Sequence, residues 1–130
     1  KRFMQIDHLA LYVQDLETMK IFYIQYFGAT ANDKYHNPRT GLQTYFLTFE
    51  SGSRLEIMTR PDLVVRTKAP FDAGYIHLAF SVGSREKVDA LTNTLRQAGF
   101  TVTSEPRTTG DGYYESCVLD PEDNLIEIVA

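Results

Sequence analysis

H-L-A-L-Y-V (His8–Val13) returns as H-L-A-F-S-V (His77–Val82), 69 residues further on. Each alternates apolar and mixed side chains and is rich in strand formers, the pattern of a half-buried β-strand. The same landmarks follow both. After the first, Asp15 stands as an N-cap, Leu16, Met19, Phe22, Tyr23, Tyr26 and Phe27 recur at helical spacing, and Gly28 stops the helix. After the second, Ser84 is the cap, Val88, Leu91, Leu95 and Ala98 form the stripe, and Gly99 is the stop. R-L-E-I (Arg54–Ile57) then matches L-I-E-I (Leu125–Ile128) at an offset of 71, the offset of the two glycines. The two-residue drift falls between strand and helix, where an insertion is tolerated. Self-similarity of this kind decides a fold. The pattern predicts strands over 5–13, 29–36, 42–50 and 54–59 in one half and over 75–82, 100–104, 113–119 and 125–129 in the other. It is an α+β chain of two tandem βαβββ modules, residues 4–60 and 75–130. A linker over 61–74 carries Pro61 and Pro70 and little periodicity.

Length and charge narrow the function. A chain of 130 residues is expected to be a single domain, large enough to bury a core without staples. Its net charge of −4 leaves no basic excess to neutralise phosphates, which excludes a typical nucleic-acid binder. One cysteine excludes an internal disulfide and a CxxC zinc site. No run reaches 18 apolar residues and no signal-peptide pattern opens the sequence, so neither a membrane partner nor export is expected, and the location is expected to be cytoplasmic.

Strand parity sorts the side chains by face. Leu9, Leu11 and Val13 share one face of the first strand, with His8, Ala10 and Tyr12 opposite. Leu78, Phe80 and Val82 likewise oppose His77, Ala79 and Ser81. Leu55 and Ile57 flank Glu56, and Ile126 and Ile128 flank Glu127. The apolar faces are expected to pack on the helices. That leaves one His and one Glu per module on the other face. Alone, each would be an ordinary surface residue. Together, two imidazoles and two carboxylates at equivalent places suit a divalent metal such as Ni, Co, Zn, Mn or Fe, and two facing glutamates would otherwise repel. Cys117, inside a strand, reads as a buried packing residue. Tyr113 and Tyr114, beside Gly110 and Gly112, read either as a mobile lid or as the start of a strand.

I-D-H-L-A-L-Y-V (Ile6–Val13), F-Y-I-Q-Y-F-G (Phe22–Gly28), L-E-I-M (Leu55–Met58), G-Y-I-H-L-A-F-S-V (Gly74–Val82) and D-P-E-D-N-L-I-E-I (Asp120–Ile128) together resemble the vicinal oxygen chelate superfamily. Its members include glyoxalase I, methylmalonyl-CoA epimerase, extradiol dioxygenases, fosfomycin-resistance enzymes and bleomycin-resistance proteins. The resemblance covers nearly the whole chain. It implies a curved eight-stranded mixed sheet around a metal-binding cavity, with helices outside, and a homodimer. The superfamily's ligand positions fall on His8, Glu56, His77 and Glu127, a set similar to that of glyoxalase I. Dioxygenase and fosfomycin members usually have no ligand at the place of Glu56.

The resemblance implies a metal-dependent lyase or isomerase, similar to lactoylglutathione lyase, acting on a small oxygenated substrate through an enediolate. Glu127 and Glu56 are the candidate bases, Glu127 preferred. The alternatives are an Fe(II)-dependent extradiol-type dioxygenase and a non-catalytic small-molecule-binding resistance protein. Tyr12 and Met58 fall on the ligand-bearing face and are candidates to line the cavity. Arg39, Arg54, Arg60, Arg66 and Lys68 are candidate contacts for an anionic substrate, or plain surface charge.

Overall fold

The computed structural model describes residues 3–130. The chain divides into two compact units, the first ending at Arg66 and the second starting at Thr67. The boundary falls inside the expected linker, and residues 61–76 hold neither helix nor strand.

The first unit runs β1 (His8–Tyr12), α1 (Leu16–Phe27), β2 (Thr30–Ala31), β3 (Tyr35–His36), β4 (Gln43–Thr48) and β5 (Arg54–Thr59). Its sheet has the order β1-β5-β4-β2, with β3 also paired to β4. The second runs β6 (His77–Ser81), α2 (Arg85–Gln97), β7 (Val102–Thr108), β8 (Tyr114–Leu119) and β9 (Leu125–Val129), with the order β6-β9-β8-β7. In each, the first strand lies parallel to the last and the remaining pairs are antiparallel. The helix between the first strand and the rest makes that parallel pairing feasible, since a parallel return needs a long crossover.

The helices begin and end where their caps dictate. Asp15 accepts from the Thr18 N–H at 3.0 Å, and Gly28 closes α1 at φ 70°, a left-handed conformation that glycine adopts without penalty. Ser84 accepts from the Lys87 N–H at 3.2 Å. Leu16, Met19, Phe22 and Tyr23 of α1 are buried, as are Tyr45, Leu47, Leu55 and Ile57 of its sheet. In the second unit Val88, Thr92 and Leu95 of α2 are buried, with Ser116, Val118, Ile126 and Ile128. Each sheet thus turns its apolar face to its own helix, as parity requires.

Two details depart from the sequence pattern. Among the described residues the eight expected strands are nine, one sheet having five and the other four. The expected strand over 29–36 is broken at Asn32. Its N–H donates to the Phe46 carbonyl at 3.2 Å and its Oδ1 accepts from the Phe46 N–H at 2.8 Å, so a side chain interrupts the ladder. Conversely, β7 continues to Thr108 through Pro106, past the loop expected from Glu105. Proline is tolerated because β7 is an edge strand, and the register shifts between Ser104 and Arg107.

Candidate metal centre

In the first unit, β1 and β5 pair His8 with Arg54 and Ala10 with Glu56. His8 and Glu56 therefore share a face, one step apart on the diagonal. His8 Nε2 lies 3.7 Å from Glu56 Oε1. Phe46 of β4 sits opposite Glu56 and presents its ring edge-on to the imidazole, with centroids 5.2 Å apart. The Arg54 guanidinium lies over the Phe46 ring at 4.2 Å. Asp7 Oδ2 accepts from Arg54 Nη2 and from His8 Nδ1, both at 2.7 Å. These two hydrogen bonds, that of His8 first, hold the Asp7 carboxyl below its ordinary range.

The second unit repeats the core of this arrangement. His77 pairs with Leu125 and Ala79 with Glu127, and His77 Nε2 lies 3.5 Å from Glu127 Oε2. The side chains of Glu56 and Glu127 are 16% and 18% exposed, those of His8 and His77 36% and 28%. The two pairs are thus equivalent in register, spacing and shielding.

Around the second pair the neighbours are different. Cys117 of β8 sits opposite Glu127, where Phe46 sits in the first unit, and Glu115 lies one step along the same face. Ligand atoms of Glu115, Cys117 and Glu127 lie within 4.8 Å of one another. The hydrogen bond that Glu115 shares with Glu127, with burial adding to it, pushes the Glu115 carboxyl up to about 7. Burial, then the charges of Glu127 and Glu115, raises the Cys117 thiol.

The reading of Cys117 as a buried packing residue is corrected here. It is only partly buried and faces the carboxylates, while its neighbours Ser116 and Val118 are fully buried. A buried serine amid apolar residues conceals the strand's parity. Glu115 is absent from the candidates read from sequence. The signal that finds it is the two-residue period back from Cys117, once Cys117 is placed on this face. Of the two readings of Tyr114, the structure shows the start of a strand, since it opens β8. Its hydroxyl donates to Asp89 of α2 at 2.6 Å and Arg85 lies over its ring at 4.7 Å, so the helix anchors it.

Tyr12 and Met58 are register partners on the face of Glu56. Several of the cations are occupied by protein groups: Arg54 by Asp7, Arg60 by Asp62, and Lys68 by the Glu122 carbonyl at 3.0 Å.

Donor chemistry and spacing both suit a divalent ion. Ligand atoms about 2.0–2.2 Å from one ion lie about 3–3.5 Å from each other. The 3.7 and 3.5 Å separations within the pairs approach that spacing. Carboxylates beside neutral imidazoles are a usual first-row metal set, and a cation would offset the crowding of Glu115 against Glu127.

The sequence pattern of the Glyoxalase/Bleomycin resistance protein/Dioxygenase superfamily matches residues 5–128. The chain belongs to this superfamily. The chain is 32% identical over 82 residues to the uncharacterized protein YwkD of Bacillus subtilis, covering 63% of this chain and 64% of YwkD. It is 28% identical to the glutathione transferase FosA of Serratia marcescens, over 95% of this chain and 78% of FosA. Among solved structures, a glyoxalase family protein from Enterococcus faecalis matches with a TM-score of 0.79 and 25% identity, over 98% of both chains. The superfamily's fold of two tandem modules is the one described above. No helix among the described residues is long and apolar enough to cross a membrane.

Proposed function

We propose that the chain is a metal-dependent lyase or isomerase of glyoxalase I type, acting on a small oxygenated substrate. The two modules work as one domain in this reading, and the active species is a homodimer. One observation carries it: the same His–Glu pair stands at the same register in both modules, at 3.7 and 3.5 Å. His8, Glu56, His77 and Glu127 are the metal ligands. A bound divalent ion would polarise a substrate carbonyl as a Lewis acid.

The chain's own groups do the rest. Glu127 takes the proton α to the carbonyl and returns it to the adjacent carbon, the work of a positioned carboxylate base. Glu56 is the second carboxylate of the set and the residue that separates this reading from its rivals. Tyr12 and Met58, beside Glu56, line the substrate's approach.

The test is metal analysis of protein purified without chelator, followed by a hemithioacetal isomerisation assay with several thiols. The reading expects stoichiometric Ni, Co, Zn, Mn or Fe and isomerase turnover. Wild-type protein that binds none of these metals, or metal binding that His77→Ala leaves unchanged, would overturn it. Similarity to FosA favours a second reading, transfer of a thiol to a small substrate. That reading needs no ligand at position 56, so Glu56→Ala would keep metal and transferase turnover, whereas the isomerase reading expects metal binding and isomerase turnover to fall.

A further inference from the structure

The two units are alike in their His–Glu pairs and unlike in what surrounds the histidines. His8 is exposed, and three groups stand about it. Asp7 accepts from its Nδ1, Phe46 meets its ring edge-on, and Arg54 joins the two by binding Asp7 and covering Phe46. The strand registers place Ile76, Leu125 and Cys117 at the equivalent positions around His77. Neither Ile76 nor Leu125 offers a carboxylate or a guanidinium.

We propose that Asp7 is a positioning residue that locks His8 in the Nδ1–H tautomer and so aims the Nε2 lone pair at the Glu56 side of the face. Neutral imidazole carries one N–H, and whichever nitrogen bears it cannot bind a metal. A carboxylate 2.7 Å from Nδ1 favours the proton there. That leaves Nε2, 3.7 Å from Glu56 Oε1, as the basic nitrogen. The bond also fixes the ring plane, and Phe46 blocks one direction of rotation. Arg54 holds the same carboxylate oxygen from the other side, so Asp7 is itself oriented. The Arg54 N–H also donates to the Asp7 carbonyl at 3.1 Å, which pins the backbone at this point. Partners that fix a ligand's tautomer typically change metal affinity about 10–100-fold when removed. The affinity part of this inference rests on the reading of His8 as a metal ligand. The tautomer part does not.

The experiment uses the full chain with 15N-labelled histidine, metal-free, at the alkaline end of a pH series, where the ring signals no longer move. Two-bond 1H–15N spectra give the tautomer of each ring, and His36→Gln and His77→Gln identify the His8 signals by elimination. In the wild type, His8 is expected to show a protonated Nδ1 and a bare Nε2. Asp7→Ala is expected to abolish that pattern and weaken Co(II) or Zn(II) binding about tenfold or more. Asp7→Asn, whose amide oxygen still accepts from Nδ1, is expected to restore the tautomer and most of the affinity. Arg54→Ala removes the surface clasp but keeps the carboxylate, so it should leave the tautomer in place. An unchanged His8 pattern in Asp7→Ala overturns the proposal, as does an equal loss in Arg54→Ala, which would show a merely structural tie. Wild-type protein that binds neither metal sinks the metal reading, while the tautomer spectra still decide the role of Asp7.

Discussion

Glu17, in the first turn of α1, accepts from Lys34 Nζ at 2.8 Å, from the Tyr45 hydroxyl at 2.9 Å and from Lys20 Nζ at 3.1 Å. These bonds, that of Lys34 foremost, hold its carboxyl down at about 2 against an ordinary 4.5. A carboxyl lowered by folding binds fewer protons in the native state than in the unfolded one. Its contribution is therefore present above about pH 4.5 and lost as pH falls towards about 2. Glu17→Gln is expected to lower stability at pH 7 by no more than about 1 kcal/mol, because the side chain is half exposed and screened. It should also flatten the acid limb between those two values. Thermal melts from pH 2 to 7 check both. Asp123 shows a different constraint on one residue. It stands at φ 65°, in the left-handed region, while Asp120 Oδ1 beneath it accepts the N–H groups of Glu122 and Asn124 at 2.9 Å. Asp123→Gly would relieve the backbone and is expected to raise stability by about 0.5–1 kcal/mol, measured by denaturant unfolding.

At the scale of elements, α2 is joined to its sheet by a buried polar contact. Thr92 Oγ1 donates to the Val88 carbonyl at 2.6 Å and lies 2.7 Å from Ser116 Oγ. Both residues are buried, so removing one partner leaves a hydroxyl unsatisfied. Thr92→Val is expected to cost about 1–3 kcal/mol, and adding Ser116→Ala to recover part of it. Urea unfolding with an unchanged slope is the check. This contact also explains what the sequence hides. Thr92 and Ser116 look like solvent-facing residues, and Ala98 looks like part of the stripe, yet Ala98 is exposed. The helices themselves are legible because Asp15, Gly28 and Ser84 act locally. Asn32 is not, because its role depends on Phe46, a strand away.

At the scale of the molecule, the repeat is legible because both modules solve the same problem, a parallel strand pair under one helix. The shared faces and matching registers of His8, Glu56, His77 and Glu127 are legible from alternation and offset. Asp7 and Cys117 do not stand out, since Arg54 and Glu127, which they meet, lie on neighbouring strands, and Glu115 is found only once Cys117 is placed. If the two pairs take up metal, stability is linked to it. Metal at about 100 times its dissociation constant should add about 2.7 kcal/mol to the wild type, and chelator should remove it. His8→Ala and His77→Ala are each expected to lose most of that gain in a thermal-shift titration.

The confinement of every ladder to its own module has a consequence in time. All the backbone partners of the first sheet lie before residue 60. A ribosome adding about 5–20 residues per second spends roughly 3–13 s on the second unit, Thr67 to Ala130. Mixed α/β chains of this size fold in about milliseconds to a second. The His8–Glu56 pair, with Asp7 and Arg54 beside it, thus has its sheet partners synthesised seconds before the His77–Glu127 pair is complete.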